Sequence, residues 1–145
     1  MEIAIRRMEE RDLDRIMEIE EDAFTTPWPK NSFLLEITSN QLARYIVAEL
    51  DGVVVGYGGI WIIIDEGHIT NIAVESKYRG LGVGKKLVEG LIDICRSSNI
   101  KAMTLEVRRT NVSAQNLYRK YGFKDSGIRP NYYADEDALI MWKEI

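Results

Sequence analysis

The chain reads Arg79-Gly80-Leu81-Gly82-Val83-Gly84-Lys85 directly before a stretch with helical periodicity. Glycines at alternate positions leave a row of backbone N–H groups without covering side chains. In the stretch that follows, the apolar residues share one face of a helix: Leu87, Val88, Leu91, Ile92 and Cys95. Free N–H donors and the positive end of a helix dipole then point the same way, which favours an anion. With Arg79 and Lys85 at its rim, the turn predicts a phosphate or pyrophosphate site.

Two common phosphate-binding motifs do not fit this turn. The P-loop requires Gly-x-x-x-x-Gly-Lys-Ser/Thr, but arginine stands five residues before Gly84, and Lys86 replaces the hydroxyl residue. The dinucleotide motif requires Gly-x-Gly-x-x-Gly, which the alternate glycines do not supply. The turn does match Arg-x-x-Gly-x-Gly through Arg79, Gly82 and Gly84, and a predicted strand at 69–74 precedes it. A plain glycine-rich turn that caps a helix is the alternative interpretation.

The strand and turn together resemble the GNAT superfamily of acetyl-CoA-dependent N-acetyltransferases, in which this turn holds the pyrophosphate of coenzyme A. The resemblance implies acetyl-CoA as the cofactor, bound by the backbone of residues 79–85. It also implies that main-chain amides near Ile72, Ala73 and Val74 hold the thioester carbonyl and the pantetheine arm. No metal is expected, because the chain has one histidine and one cysteine and no second such residue to share an ion.

Length and composition indicate one globular domain spanning residues 1–145, with 46% hydrophobic and 29% charged residues. The net charge of −4 argues against nucleic-acid binding, which requires a basic face. The start of the chain lacks the apolar segment of a signal peptide, and its longest uncharged run, 52–64, is too short to span a membrane. Cys95 lies on the apolar helix face and is expected in the core. These features predict a cytoplasmic protein without a membrane partner.

Periodicity and turn signals predict an α/β fold. Strands are expected at 3–7, 44–50, 53–64, 68–74, 102–108, 123–128 and 138–143, and helices at 11–24, 31–39, from the glycine-rich turn to Ser97, and at 111–121. Asp51-Gly52 predicts a tight hairpin, and a second turn is expected at 65–67. A helical crossover makes the strands at 68–74 and 102–108 parallel. The expected architecture is the GNAT fold: a mixed, mostly antiparallel sheet of about seven strands with about four helices on both faces.

The second half of the chain resembles the RimI-type N-terminal acetyltransferases. The matching residues are Thr104-Leu105-Glu106-Val107-Arg108, Asn111, Ala114, Leu117-Tyr118, Gly122-Phe123 and the tail from Arg129 to Ala138. The match is closest to archaeal members, which modify protein N-termini more broadly than the bacterial ribosomal enzyme does. The resemblance implies a protein or peptide N-terminus as the acceptor, with a ribosomal protein among the candidates. The oligomeric state stays open.

The attacking amine must be neutral and must lose a proton, so the reaction needs a base and an acid. An α-amine is neutral at pH 7 far more often than a lysine side chain, which reduces what the base must do. Glu106, between apolar residues of a strand, is the candidate base; a structural ion pair with Arg108 or Arg44 is the alternative. The resemblance makes Tyr118 the candidate acid for the departing thiolate, and core packing is its alternative.

Further site residues follow from the same resemblance. His68 is a second candidate base, since relatives carry a histidine or tyrosine there; the alternative is a solvent-facing residue at the start of a strand. Asn111 and Ser113 can cap the next helix, and Asn111 is also expected to contact the cofactor. Aromatic residues in two loops are expected to bracket the acceptor: Phe24 and Trp28 in the first loop, Tyr132 and Tyr133 in the last. The acidic run at 135–137 is expected to be a solvated turn.

The leading hypothesis is therefore an N-terminal α-acetyltransferase that works by direct transfer in a ternary complex. A lysine or small-amine acetyltransferase on the same fold is the second hypothesis. A non-catalytic acyl-CoA-binding module is the third, and it predicts no role for Glu106 and Tyr118.

Overall fold

The computed structural model describes residues 2–145 as one sheet with four helices. The strands are β1 (Ile3–Arg7), β2 (Ala43–Leu50), β3 (Val53–Ile63), β4 (Glu66–Val74), β5 (Ala102–Arg108), β6 (Lys124–Arg129) and β7 (Ala138–Glu144). The helices are α1 (Leu13–Ala23), α2 (Lys30–Thr38), α3 (Val83–Ser97) and α4 (Val112–Lys120). Short 3-10 turns precede α1 and α3. The predicted elements are confirmed, and their bounds move by two residues at most.

The sheet has the strand order β1-β2-β3-β4-β5-β7-β6, and only β4 and β5 are parallel. Their pairing is short: Glu66–His68 meets Ala102–Thr104 and then stops. Beyond it, β4 stays paired with β3, and β5 stays paired with β7. Residues 69–74 and 105–108 therefore face each other across a gap, and neither edge has a strand partner there within the described chain. We call this gap the splay.

A β-bulge shapes the β4 side of the splay. Gly59 pairs with Asn71, but the next residue of β3, Ile60, pairs with Ile69, so Thr70 is an extra residue. The bulge places Thr70 and Asn71 on the same face of the sheet, where their side chains contact tyrosines of β2 and β3. Without the extra residue, one of these polar side chains would point into the opposite core.

Two cores cover the sheet. The larger one packs α3 and α4 against one face and includes Leu105 and Val107 of β5. Each fully buried leucine or valine contributes about 1.5–3 kcal/mol. The second core packs α1 and α2 against β2, β3 and β4 on the other face. Helices thus lie on both faces, as predicted, but the second layer stops at β4. Within residues 2–145 no helix covers the face of β5 that carries Glu106, contrary to the expectation of helices on both faces of the sheet.

The predicted hairpin is confirmed, because Asp51 and Gly52 both have positive φ, as a tight two-residue turn between antiparallel strands requires. The turn predicted at 65–67 is present but lies at 64–65. Ile63 pairs with Glu66, so the turn consists of the two residues between them, and Gly67 belongs to β4. A Cβ at Gly67 would lie 2.7 Å from the Cys95 Sγ. This glycine serves the close approach of α3 to the sheet and not a turn.

No helix within residues 2–145 has the length and apolar character needed to cross a bilayer.

Gly59 offers a test of packing between the bulge and the second core. A Cβ at this position would lie 2.3 Å from the Tyr45 ring and 2.7 Å from the Thr70 Oγ1. We expect Gly59→Ala to lower the free energy of unfolding by about 1–3 kcal/mol, because the ring must move. Gly127→Ala is the matched control, since nothing lies within 4 Å of its Cβ and its φ is not positive. Urea denaturation of both variants measures the difference, and equal stability would contradict this packing.

Candidate active site

The glycine-rich turn lies between β4 and α3 and has the geometry of an anion site. Gly80 and Gly82 have φ of +79° and +87°, values that favour glycine. The amide N–H groups from Gly80 to Lys85 donate no hydrogen bond to any described residue. They include the first N–H groups of α3, a 15-residue helix whose dipole adds partial positive charge at this end. The turn therefore presents a row of free donors to an anionic ligand.

The third glycine has a different role from the other two. Gly84 lies in the first turn of α3, where a Cβ would be 3.3 Å from Leu117 of α4. Its small size allows the two helices to pack closely, so the motif combines two turn glycines with one packing glycine. At the other end of the turn, Arg79 Nε donates to the Val74 carbonyl at 3.4 Å and ties the turn to β4.

Charge at the turn comes from one more residue than the sequence predicted. Contact with Lys85 and its positive charge lower the pKa of Lys120 at the end of α4. Two ammonium groups therefore lie side by side next to the turn. Lys120 is 35 residues away from Lys85 in the sequence, and only the packing of α4 on α3 brings them together. Concentrated positive charge of this kind suits a polyphosphate.

Glu106 lies on the β5 edge of the splay, on the face opposite Leu105 and Val107. Its side chain is 23% exposed, and its Oε1 lies 3.5 Å from Arg129 Nη2. The Tyr133 hydroxyl donates to its main-chain oxygen at 3.3 Å. Glu106 is thus a partly buried carboxylate that borders the gap and has one cation beside it.

The two partners considered for Glu106 from the sequence are both occupied elsewhere. Arg108 Nη1 lies 2.5 Å from Asp135. Arg44 donates to the carbonyl oxygens of Gln41 and Ala43. The ion pair with Arg129 was missed, because β6 enters the sheet beyond β7 and its register cannot be read from local sequence.

Tyr118 lies on α4 with its ring packed against Phe123 at a centroid distance of 5.8 Å. Its hydroxyl makes no hydrogen bond with the described residues, yet no described side-chain oxygen is both fully buried and unpaired. The hydroxyl therefore reaches a surface while the ring lies in the core. Burial, with a smaller contribution from Tyr133, raises the pKa of Tyr118 well above its usual range. The phenol stays protonated at neutral pH, as a general acid must. Tyr118 can therefore pack in the core through its ring and also act as an acid through its hydroxyl.

His68 lies in the last paired position of β4, opposite Thr104 of β5. Its Nε2 is 3.1 Å from a carboxylate oxygen of Glu66, and its ring stands 6.3 Å from the Trp142 ring. Because the neighbouring Gly67 faces α3, His68 points to the face that carries Glu106. It does not begin the strand, since β4 starts two residues earlier. The structure therefore brings both candidate bases to the same end of the splay.

The start of α4 confirms one predicted cap and corrects the other. Asn111 is the N-cap residue, and its Oδ1 accepts the Ala114 N–H at 3.2 Å. Ser113 lies in the first turn of α4, is exposed, and makes no capping hydrogen bond within the described residues. Asn111, two residues earlier, forms the cap, so the Ser113 hydroxyl is not needed for capping.

The predicted acceptor loops lie on the Glu106 face of the sheet. Phe24 and Trp28 are 39% and 37% exposed, and the Trp28 ring packs on Phe33 at 5.4 Å. In the loop between β6 and β7, the rings of Tyr132 and Tyr133 meet edge to face at 5.0 Å. Large, partly exposed aromatic surface from two loops on this face suits a peptide.

The acidic run is solvent-facing at Asp135, whose side chain is 71% exposed, but all three of its carboxylates also have partners, which the sequence did not predict. Asp135 pairs with Arg108, whose guanidinium also stacks on the Tyr133 ring at 4.2 Å. The remaining two acids also have partners: Glu136 accepts from Thr110, and Asp137 accepts the Asn131 N–H. These contacts hold the tyrosine loop against β5. The carboxylates are therefore structural, because the positively charged and N–H groups around them come from distant segments.

Among residues 2–145, no group of three or more histidines, cysteines or acids is arranged to hold a metal ion.

The model of the GNAT acetyltransferase family matches residues 13–123. The chain belongs to the GNAT acetyltransferase family. A Bacillus subtilis protein, named provisionally as a ribosomal protein bS18-alanine N-acetyltransferase, is 46% identical over 98% of this chain and 95% of its own. An N-alpha-acetyltransferase of Sulfurisphaera tokodaii is 35% identical, with coverage of 97% and 92%. The crystal structure of the Escherichia coli ribosomal-protein-S18-alanine N-acetyltransferase superposes with a TM-score of 0.90 at 32% identity, covering 99% of this GNAT chain and 94% of that one.

The anion site of this GNAT protein can be tested with two glycines of similar conformation. Gly82→Ala and Gly52→Ala both force alanine to positive φ in open space, so each should cost about 1–2 kcal/mol of stability. Only Gly82 borders the free N–H groups. We expect Gly82→Ala to weaken coenzyme A binding about tenfold or more, as for one lost hydrogen bond to a charged group, and Gly52→Ala to leave it unchanged. Titration calorimetry measures both, and equal affinities would refute the assigned anion site.

Proposed function

We propose that this protein transfers an acetyl group from acetyl-CoA to the α-amine of protein N-termini. One observation carries the proposal: a partly buried carboxylate, Glu106, lies on one edge of the splay, and β4, the other edge, leads into the turn whose amides from 80 to 85 are free. The names of the Bacillus, Escherichia and Sulfurisphaera relatives agree with an N-terminal acceptor. We further propose that residues 1–145 act as one domain in the cytoplasm, with ribosomal protein bS18 or a similar N-terminus as an acceptor.

The proposed cofactor-binding site runs along the β4 side of the splay. Bound acetyl-CoA supplies an acetyl group activated as a thioester. The free N–H groups of 80–85, with Lys85 and Lys120 beside them, suit its pyrophosphate. The open edge of β4 at Ile72, Ala73 and Val74 offers main-chain groups to the pantetheine arm and to the thioester carbonyl. Asn111, the N-cap residue of α4, is the further residue proposed to contact the cofactor.

Residues of β5 and α4 divide the proton transfers between them. Glu106 on β5 accepts the proton that the attacking amine loses, directly or through one water. Tyr118 keeps its proton at neutral pH because burial raises its pKa, so its hydroxyl can donate to the departing thiolate. His68 shares the Glu106 face and is the second candidate base. The buried thiol of Cys95 does not serve as an acyl carrier, since it lies in the core and burial raises its pKa to about 11.

The acceptor approaches from the face without a helix over β5. Trp28 and Phe24 lie on one side of this approach, and the Tyr132–Tyr133 pair lies on the other. An α-amine suits this site better than a lysine, because a larger fraction of it is neutral at pH 7 and a carboxylate base then suffices. A lysine acceptor is the second candidate function, and the same site could receive it only with its side chain extended between the aromatic loops.

Three peptides decide between these acceptors. The first begins with alanine, has a free α-amine and carries one internal lysine; the second has the α-amine blocked; the third replaces the lysine with arginine. We expect acetylation of the first and third at the N-terminus only, located by tandem mass spectrometry. Modification of the blocked peptide would transfer the proposal to a lysine acceptor. Failure to modify any peptide would support the non-catalytic acyl-CoA-binding alternative.

The acid and base assignments predict separate kinetic effects. Glu106→Gln and Tyr118→Phe should each lower kcat about 10²-fold or more while coenzyme A binding is retained. Tyr121→Phe is the matched control, because its hydroxyl donates a hydrogen bond to Glu89 on α3 and does not contact the splay.

The same assignment predicts the pH dependence of the wild-type protein. Since the pKa of Tyr118 is raised, the acid stays protonated and wild-type kcat should not fall between pH 8 and 10. An alkaline decline in this range that vanishes in Tyr118→Phe would show that the phenol titrates there, against this assignment.

A further inference from the structure

A buried carboxylate on α1 has no place in the chemistry described above. Glu20 is 1% exposed, and no cation of residues 2–145 lies within salt-bridge distance of it. Its Oε2 accepts the Trp28 N–H at 2.8 Å, and its Oε1 accepts the Tyr57 hydroxyl. Burying a carboxylate without a cation is costly unless hydrogen bonds compensate. Such a costly group in the second core calls for a role beyond packing.

The hydrogen bonds continue from Tyr57 to the bulge of β4. The Tyr57 hydroxyl accepts from Asn71 Nδ2 at 3.0 Å, and Asn71 Oδ1 accepts from the Thr70 hydroxyl at 3.1 Å. The Tyr45 hydroxyl lies 3.0 Å from the Thr70 Oγ1. From Thr70 onward every donor in this chain points towards Glu20, because each hydroxyl has a single proton. Thr70 donates to Asn71, Asn71 to Tyr57, and Tyr57 to the carboxylate.

Glu20 therefore joins two parts of the candidate site that are far apart in sequence. One oxygen holds the main chain of the Trp28 loop, which borders the acceptor approach. The other oxygen holds, through Tyr57 and Asn71, the bulge at which β4 leaves β5. We propose that Glu20 is a positioning residue that fixes the position of the Trp28 loop relative to the edge of β4 that is proposed to hold the thioester. The proposal deepens the proposed function and rests on it, because it takes the Trp28 loop and β4 as the acceptor and thioester sides.

Glu36 of α2 provides a matched control. It too is a buried carboxylate without a cation partner in the described chain, and it accepts from Trp61 Nε1 at 3.0 Å and from Asn40 Nδ2 at 2.6 Å. It also accepts the Tyr45 hydroxyl at 3.5 Å. Glu36 thus has similar burial and hydrogen bonding, but within the described residues it accepts no hydrogen bond from the Trp28 loop or from the bulge of β4.

The test compares Glu20→Gln with Glu36→Gln. Glutamine has one acceptor oxygen where the carboxylate has two, so either the Trp28 N–H or the Tyr57 hydroxyl loses its partner. We expect Glu20→Gln to raise the KM for an alanine-initiated peptide about tenfold, as for one lost hydrogen bond to a charged group, with coenzyme A affinity unchanged. Glu36→Gln should lower stability to a similar degree and leave the peptide KM at its wild-type value. Equal KM changes in both variants, or none in Glu20→Gln, would overturn the proposal.

A second variant separates the two arms of the carboxylate. Tyr57→Phe keeps the bond between Glu20 and the Trp28 N–H but cuts the connection to the bulge. We expect it to lower kcat, because the β4 edge loses its support, while the peptide KM changes less than in Glu20→Gln. The reverse pattern, a raised peptide KM with unchanged kcat, would refute the division of roles.

Amide hydrogen exchange gives a readout that does not depend on activity. In the wild-type protein the Trp28 amide should be protected, since it donates to a buried carboxylate. We expect faster exchange of this amide by NMR in Glu20→Gln and no change in Glu36→Gln. Wild-type protein that fails to acetylate any peptide would refute the proposed function. The exchange rate of the Trp28 amide in the two variants would then still test whether Glu20 positions the Trp28 loop. An unprotected Trp28 amide in the wild-type protein would refute that role alone.

Discussion

The site depends on the early end of hydrogen bonding between β4 and β5. Only three residue pairs join these strands, from Glu66–Ala102 to His68–Thr104, before each strand follows its other neighbour. The crossover through α3 makes the pair parallel, and the bulge at Thr70 turns β4 aside just where the pairing stops. The separation exposes main-chain groups on two facing edges, and an extended ligand arm can supply the missing partners. Continuous pairing would close the gap and leave Glu106 and Tyr118 on opposite sides of an intact sheet.

The uneven cover of the sheet has a second consequence. On the α3 and α4 side, a continuous apolar core supports the whole sheet, including β5 and β7. On the other side, α1 and α2 stop at β4, which leaves open the approach to Glu106 that we propose for the acceptor. The loop between β6 and β7 partly replaces the missing helical layer, and ion pairs such as Arg108–Asp135 hold it in place. The protein thus has one side on which a continuous core supports the strands and one open side, which is the side proposed for the peptide acceptor.

Much of the candidate site could be predicted from the sequence because its signals are local. Gly80 and Gly82 mark backbone that requires positive φ, and the alternation around Glu106 places that carboxylate on the face opposite the core. Errors arose where a residue serves a distant neighbour. Gly67 resembled a turn glycine but makes room for Cys95, and the acids at 135–137 resembled a solvated turn but bind groups from β5 and the segment after it. Ser113 was expected to share a cap that Asn111 alone forms.

The sequence by itself determined the order of strands and helices and the glycine conformation of the turn at 79–85, and it singled out the candidate acid and base, because periodicity, glycine conformation and motif spacing are short-range properties of the chain. Only the tertiary structure decided which polar groups meet. It places Arg129 beside Glu106 and Lys120 beside Lys85, and it connects Glu20 by hydrogen bonds to both the Trp28 loop and the β4 bulge. These pairings depend on strand register and on helix packing across the sheet. Such long-range geometry follows from the sum of all packing contacts, and no local segment encodes it alone.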